Sequence, residues 1–124
     1  MSGNPITTRK PIATYNEYDV VKVPFPFTDS ARTKKRPALV LSKAASFNRE
    51  IGHSVLAMIT SARNAPWPLD AKISDLETAG LPAESVVRMK LFTLDNRFII
   101  EKLGSLSAHD RVDVLNGLRK LLPV

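Results

Sequence analysis

The 124-residue chain has no cysteine. Its absence excludes a disulfide framework, a thiolate nucleophile and every cysteine-based zinc site. Histidine is nearly as scarce. His53 and His109 are far apart in sequence, with no HxxxH or HExxH arrangement around them, so no metal site is expected. Both read as surface or helix-end residues. The five glycines are isolated, which leaves no phosphate-cradling Gly-rich loop, and no G-x-S-x-G elbow supports a serine triad. Apolar runs such as Ser54–Ile59 fall far short of the ~20 residues that span a bilayer. No apolar stretch follows Arg9 and Lys10, which argues against a secretory leader. These absences point to a cytoplasmic protein without a membrane partner and without a cofactor.

What the chain does have is positive charge. Eighteen Lys and Arg face twelve Asp and Glu, for a formal net charge of +6. The excess is confined to residues 1–63, which carry ten basic and four acidic side chains; the remainder carries eight of each. Six of those ten basic residues fall between Arg32 and Arg49. A localised patch of this kind suits an anionic partner such as nucleic acid, or serves solubility alone. Length and a 44% hydrophobic content are those of one small soluble domain.

Residues 1–17 lack an apolar period and read as an N-terminal arm, with Ile12 and Tyr15 as candidate anchors, leaving 18–124 as the domain. Val20–Val23 is a β-branched run that Pro24 is expected to end. Thr28–Arg36 reads as a basic loop, Pro37–Lys43 as a second strand buried on both faces, and Ser54–Thr60 as a third. Further extended pieces are expected at Ser85–Met89, Phe92–Asp95 and Phe98–Ile100. Ser107 is a helix N-cap, and Val112, Leu115, Leu118 and Leu122 form the apolar face of a closing amphipathic helix that Pro123 ends. The fold class is mainly β with short helices: a small, mostly antiparallel barrel or half-barrel with a C-terminal helix.

Three places can carry chemistry. Arg36 closes the basic loop against a rigid proline, so its guanidinium has little freedom and can donate bidentately to a phosphate; a solvated hairpin tip is the alternative. Thr60 and Ser61 end an apolar strand where it reaches water, suited to hold a ligand or simply to terminate the strand. Trp67, between Pro66 and Pro68, is either a satellite core residue or an exposed platform for a base.

The run Asp19–Leu41, DVVKVPFPFTDSARTKKRPALVL, resembles the opening of the MazF/PemK-type toxins of type II toxin–antitoxin systems. So do the strand ending Ile59–Thr60–Ser61, the segment Gly80–Leu81–Pro82 leading to Ser85–Val86–Val87, and the passage from Lys102–Leu103–Gly104 into the last helix. The likeness covers residues 18–122. Tyr18 departs from it, standing where the family has glycine before the first aspartate. The resemblance implies an SH3-like plasmid-toxin barrel, a homodimer, a cognate antitoxin, and metal-independent cleavage of single-stranded RNA. It makes Arg36 and Thr60 the catalytic pair, with no general base assigned. Around that pair Thr28, Lys34, Lys35, Ser61 and Trp67 are expected to bind substrate, with Phe25, Phe27 or Trp67 as surfaces for bases to stack on. A gyrase-poisoning toxin without enzymatic activity and a plain RNA-binding barrel are the competing functions on the same fold.

Overall fold

The computed structural model describes residues 13–25 and 34–124. Six strands, β1 (Asp19–Phe25), β2 (Lys34–Val40), β3 (His53–Ser61), β4 (Ala71–Lys72), β5 (Ser85–Asp95) and β6 (Glu101–Ser105), form one sheet. Their order is β4-β5-β3-β2-β1-β6, all neighbours antiparallel, and the sheet curls into an open half-barrel. A π-helical turn (Ala44–Asn48) runs into α1 (Arg49–Ile51), α2 (Leu76–Ala79) follows β4, and α3 (Ala108–Leu121) closes the chain. The small mainly-β fold with a C-terminal helix is the architecture expected from the sequence.

The β-branched runs read as continuously apolar because both sheet faces are covered. Alternation sends Val20, Leu39, Ala57, Ile59 and Val87 to one face, where Leu106 and, from α3, Val114 join them. Val21, Val23, Ala38, Val40, Leu56 and Met58 go to the other, under Tyr15, Phe25 and Phe92. Tyr15 thus anchors as expected, whereas Ile12 and the arm before it lie outside the described residues.

Four local expectations are corrected. First, β1 continues through Pro24 to Phe25. The Ile100 amide donates to the Lys22 carbonyl at 2.8 Å, and the β6 pairing ends there. Two residues on, Pro24 faces the same edge with no strand beyond it among the described residues, so its missing N–H costs none of their ladder bonds. Second, Lys34, Lys35 and Arg36 belong to β2 rather than to a loop: they pair with Phe25, Pro24 and Val23. Third, residues 85–95 are one long strand, while Phe98 ends a 3-10 turn (Asn96–Phe98) instead of opening a strand.

Fourth, α3 buries a different stripe. Ser107 caps it as expected, accepting from the Asp110 amide, but the buried residues are Asp110, Val114 and Gly117, with Leu118 partly covered. Val112 is 55% exposed, and Leu115 and Leu122 are also exposed. A polar residue and a glycine on the inner face hide it from an apolar period. The Asp110 carboxylate accepts from the Ser74 and Asp75 amides, and at Gly117 a Cβ would meet the Met89 side chain at 2.9 Å.

Tyr18 has φ +69°, the left-handed region that favours glycine. Its amide donates to the Val40 carbonyl at 2.7 Å and its carbonyl accepts from Leu106 at 3.0 Å, so the backbone is held on both sides and β1 still begins at Asp19.

Candidate functional site

One cleft of about 200 Å³ gathers the chemistry at the end of the second apolar face. Strand alternation builds it. Arg36 shares the side of Ala38 and Val40, Thr60 that of Met58 and Leu56, and Phe25 that of Val23. On β5, Arg88 opposes Met58 while Leu91 opposes Ala57, so Met89 and Lys90 are extra residues in a bulge. Lys90 shares Arg88's side of the strand and enters the cleft with its ammonium 5.0 Å from the centroid of the Phe25 ring. The loop after β3 supplies Asn64 and Trp67.

Within this frame Arg36 and Thr60 line the same cavity. The Asn64 side-chain amide donates to the Thr60 hydroxyl oxygen at 2.6 Å, which takes one lone pair and leaves the hydroxyl proton to point elsewhere. Arg88 is nearly buried and paired through its Nε and Nη2. Its guanidinium donates to both oxygens of Asp70 at 3.1 and 3.0 Å and to the Ala65 carbonyl at 2.8 Å, and it lies 4.9 Å from the Trp67 ring centroid. Burial pushes the Asp70 carboxyl up, but hydrogen bonds from Arg88 and from the Trp67 amide outweigh it and hold the group below its ordinary range. Arg88 is therefore neutralised in place. Among the described residues, neither Arg36 nor Lys90 has an ion-pair partner, so these two cations set the sign of the cavity. The cleft suits an anion with an attached planar group: cations and a hydroxyl for the one, aromatic surface for the other.

The remaining sequence-derived residues scatter. Lys34 opens β2 opposite Phe25 and is exposed. Lys35 points to the opposite side of β2, where it lines a separate cleft with Lys22, Leu81 and Leu103. Ser61 also faces away, its hydroxyl accepting from the Arg63 amide at 3.2 Å. Thr28 lies outside the described residues. Trp67 is 45% exposed in the cleft wall, so it is not a core residue.

Arg88, Lys90, Asn64 and Asp70 escaped the sequence reading. For Arg88 a signal existed, since a charge inside an apolar strand is buried only when paired. Lys90 shares its side by alternation. Asn64 and Asp70 lie in a loop and gave none. Among the described residues no three His, Cys, Asp or Glu side chains gather to hold a metal ion, and no helix is long and apolar enough to cross a membrane.

No curated protein sequence matches the chain. Solved structures do. A MazE–MazF complex from Deinococcus radiodurans matches with a TM-score of 0.72 at 26% identity, covering 90% of this chain and 99% of that one. MazF from the same organism matches at 0.70 and 24% identity, with 90% and 99% covered. An endoribonuclease in complex with its cognate antitoxin from Mycobacterial species matches at 0.69 and 15% identity, with 90% and 95% covered. The last two likenesses speak for the fold alone. The family described as "PemK-like, MazF-like toxin of type II toxin-antitoxin system" matches residues 16–122. The whole sheet, the cleft and α3 fall within that span, and the chain belongs to this family of toxins.

Proposed function

We propose that the chain is an endoribonuclease toxin that cuts single-stranded RNA without a metal ion. The observation that carries this reading is the shared cleft: Arg36, without a carboxylate partner among the described residues, lines the same cavity as the Thr60 hydroxyl. RNA contains its own nucleophile. The ribose 2′-OH attacks the adjacent phosphorus, the P–O5′ bond breaks, and the products are a 2′,3′-cyclic phosphate and a free 5′-OH. The 2′ proton leaves to a base and the departing 5′ oxygen is protonated. DNA lacks the hydroxyl and is spared.

Charge accumulates on the phosphoryl oxygens in the transition state. Arg36 stabilises it with a guanidinium that β2 holds in place, and Thr60 donates its free proton to a phosphate oxygen to keep the attack in line. Lys90 adds a second positive charge, and Lys34 tracks the strand's backbone. No described residue is assigned as the base, since arginine stays protonated at any working pH. A homodimer, a cytoplasmic location and neutralisation by an antitoxin that covers the basic cleft complete the reading. The domain then starts at residue 18, with 1–17 as its arm.

The test is incubation of the protein with a long single-stranded RNA in excess chelator, beside Arg36→Ala. Discrete cuts are expected that survive the chelator and fall by about 10²–10³ in rate in the variant, the usual loss for one transition-state donor. Intact RNA with the wild-type chain would sink the activity. Cleavage that requires added magnesium would sink the metal-free mechanism.

A further inference from the structure

Arg88 looks at first like a third phosphate ligand, because it lines the cleft with Arg36 and Lys90. Its bonds say otherwise. The Nε and Nη2 donors go to Asp70 and the Ala65 carbonyl, so the guanidinium clamps both ends of the short loop that carries Trp67. Asp70 turns back in the same way, accepting from the Trp67 amide at 2.9 Å. Pro66 and Pro68 stiffen the loop on either side of the ring. The result is an indole with a cation 4.9 Å from its centroid and 45% of the residue still in water, set in the wall that also holds Arg36 and Thr60. An indole buried for stability would not be left so exposed, and a guanidinium meant for phosphate would not be neutralised by a bidentate carboxylate.

We propose that Asp70 and Arg88 are positioning residues that fix the Trp67 indole as a stacking platform for an unpaired nucleobase next to the phosphate held by Arg36 and Thr60. The inference rests on the reading of the cleft as an RNA site and names its base subsite. Any base has a π-face, so the platform supplies affinity and register, and paired bases are excluded because their faces are already stacked. Holding the ring before RNA arrives avoids the entropy of ordering a loop on binding.

Trp67 is the sole tryptophan, so its fluorescence reports on the platform alone. The probe is a dye-labelled, fully 2′-O-methylated single-stranded oligonucleotide of mixed sequence, which binds without being cut. Anisotropy of the dye measures binding, and indole emission measures stacking. Quenching of the indole is expected to track binding. For Asp70→Asn and Arg88→Met, KM for RNA should rise about tenfold or more, the scale of one lost base stack, with kcat within about twofold. Trp67→Phe should recover most of the KM that Trp67→Leu loses. Those two variants leave the Asp70–Arg88 pair in place, so they carry the test if a pair variant fails to fold. Binding without quenching, or wild-type KM in Trp67→Leu, overturns the platform. Cleavage without quenching removes the platform and spares the nuclease; quenching without cleavage does the reverse.

Discussion

Tyr18 offers a direct contest between backbone strain and side-chain packing. At φ +69° any residue with a Cβ costs about 1–2 kcal/mol, and glycine avoids that cost while losing about 0.5–1 kcal/mol in unfolded-chain entropy. The net preference for glycine over alanine here is about 1 kcal/mol. Against this stands the ring. It is partly buried against the first apolar cluster, worth about 1–2 kcal/mol, and the Arg111 guanidinium lies 4.9 Å from its centroid, worth about 0.5–1 kcal/mol. The ring therefore outweighs the strain, and tyrosine is the best of the three. Tyr18→Gly should cost about 1 kcal/mol and Tyr18→Ala about 2 kcal/mol, the reverse of the usual order of these two residues. At roughly 2.1 cal/mol/K per residue, a chain of 124 residues loses about 4 °C of Tm per kcal/mol, so the variants should melt about 4 and 8 °C below wild type. Reversible thermal melts by circular dichroism resolve that gap. Alanine melting at or above glycine would show that the left-handed conformation stores no strain.

Asn64→Ala should leave the melt within about 0.5 kcal/mol of wild type, because the Asn64–Thr60 bond is exposed, yet slow single-turnover RNA cleavage about tenfold by freeing the hydroxyl. An unchanged rate would mean that Thr60 is oriented by something else. Thr60→Ala should lose rate and keep most of its RNA affinity; equal loss of both would make it a binding residue. Gly104→Ala places a Cβ 2.4 Å from the Thr78 carbonyl oxygen and should cost about 2 kcal/mol or more, whereas Gly52→Ala meets open space and pays only for φ +72°, about 1 kcal/mol. Chemical denaturation of the two variants checks that order. At Asp110 burial raises the carboxyl pKa, but bonds from the Asp75 and Ser74 amides win and hold it below 3.8. A depressed carboxyl stabilises the fold above its unfolded pKa and loses that contribution as pH falls through the folded value. Its share of stability should be flat above the ordinary carboxylate range and be lost as the pH falls below that range. Asp110→Asn should cost about 1–2 kcal/mol at neutral pH and flatten the acid limb of Tm against pH.

The sheet was legible because two buried faces turn β1, β2 and β3 into short β-branched apolar runs. Their ends were not. Pro24 and the Lys34–Arg36 stretch look like loop by composition, and only the register with neighbouring strands shows that they pair. The helix was legible as a helix, yet its buried stripe depends on Asp110 and Gly117, whose partners Ser74, Asp75 and Met89 come from elsewhere in the chain. At the site, Arg36 and Thr60 were found from their places at strand ends. Lys90 follows from Arg88 by alternation once that strand is placed, whereas the Trp67 support required a loop to fold back onto β5.

The cleft draws on β1, β2, β3 and β5, and its last contributors, Arg88 and Lys90, come two-thirds of the way along the chain. The edge of the sheet then waits for β6, whose residues 101–105 pair with β1 from the opposite end of the sequence. A ribosome synthesising this protein therefore carries no assembled cleft while the first three strands emerge. A chain terminated before β5 lacks two of its cations and the clamp on Trp67. For a toxin made beside the RNA it is proposed to destroy, the order of the strands is itself a delay: the whole cleft becomes available only after β5 has been made.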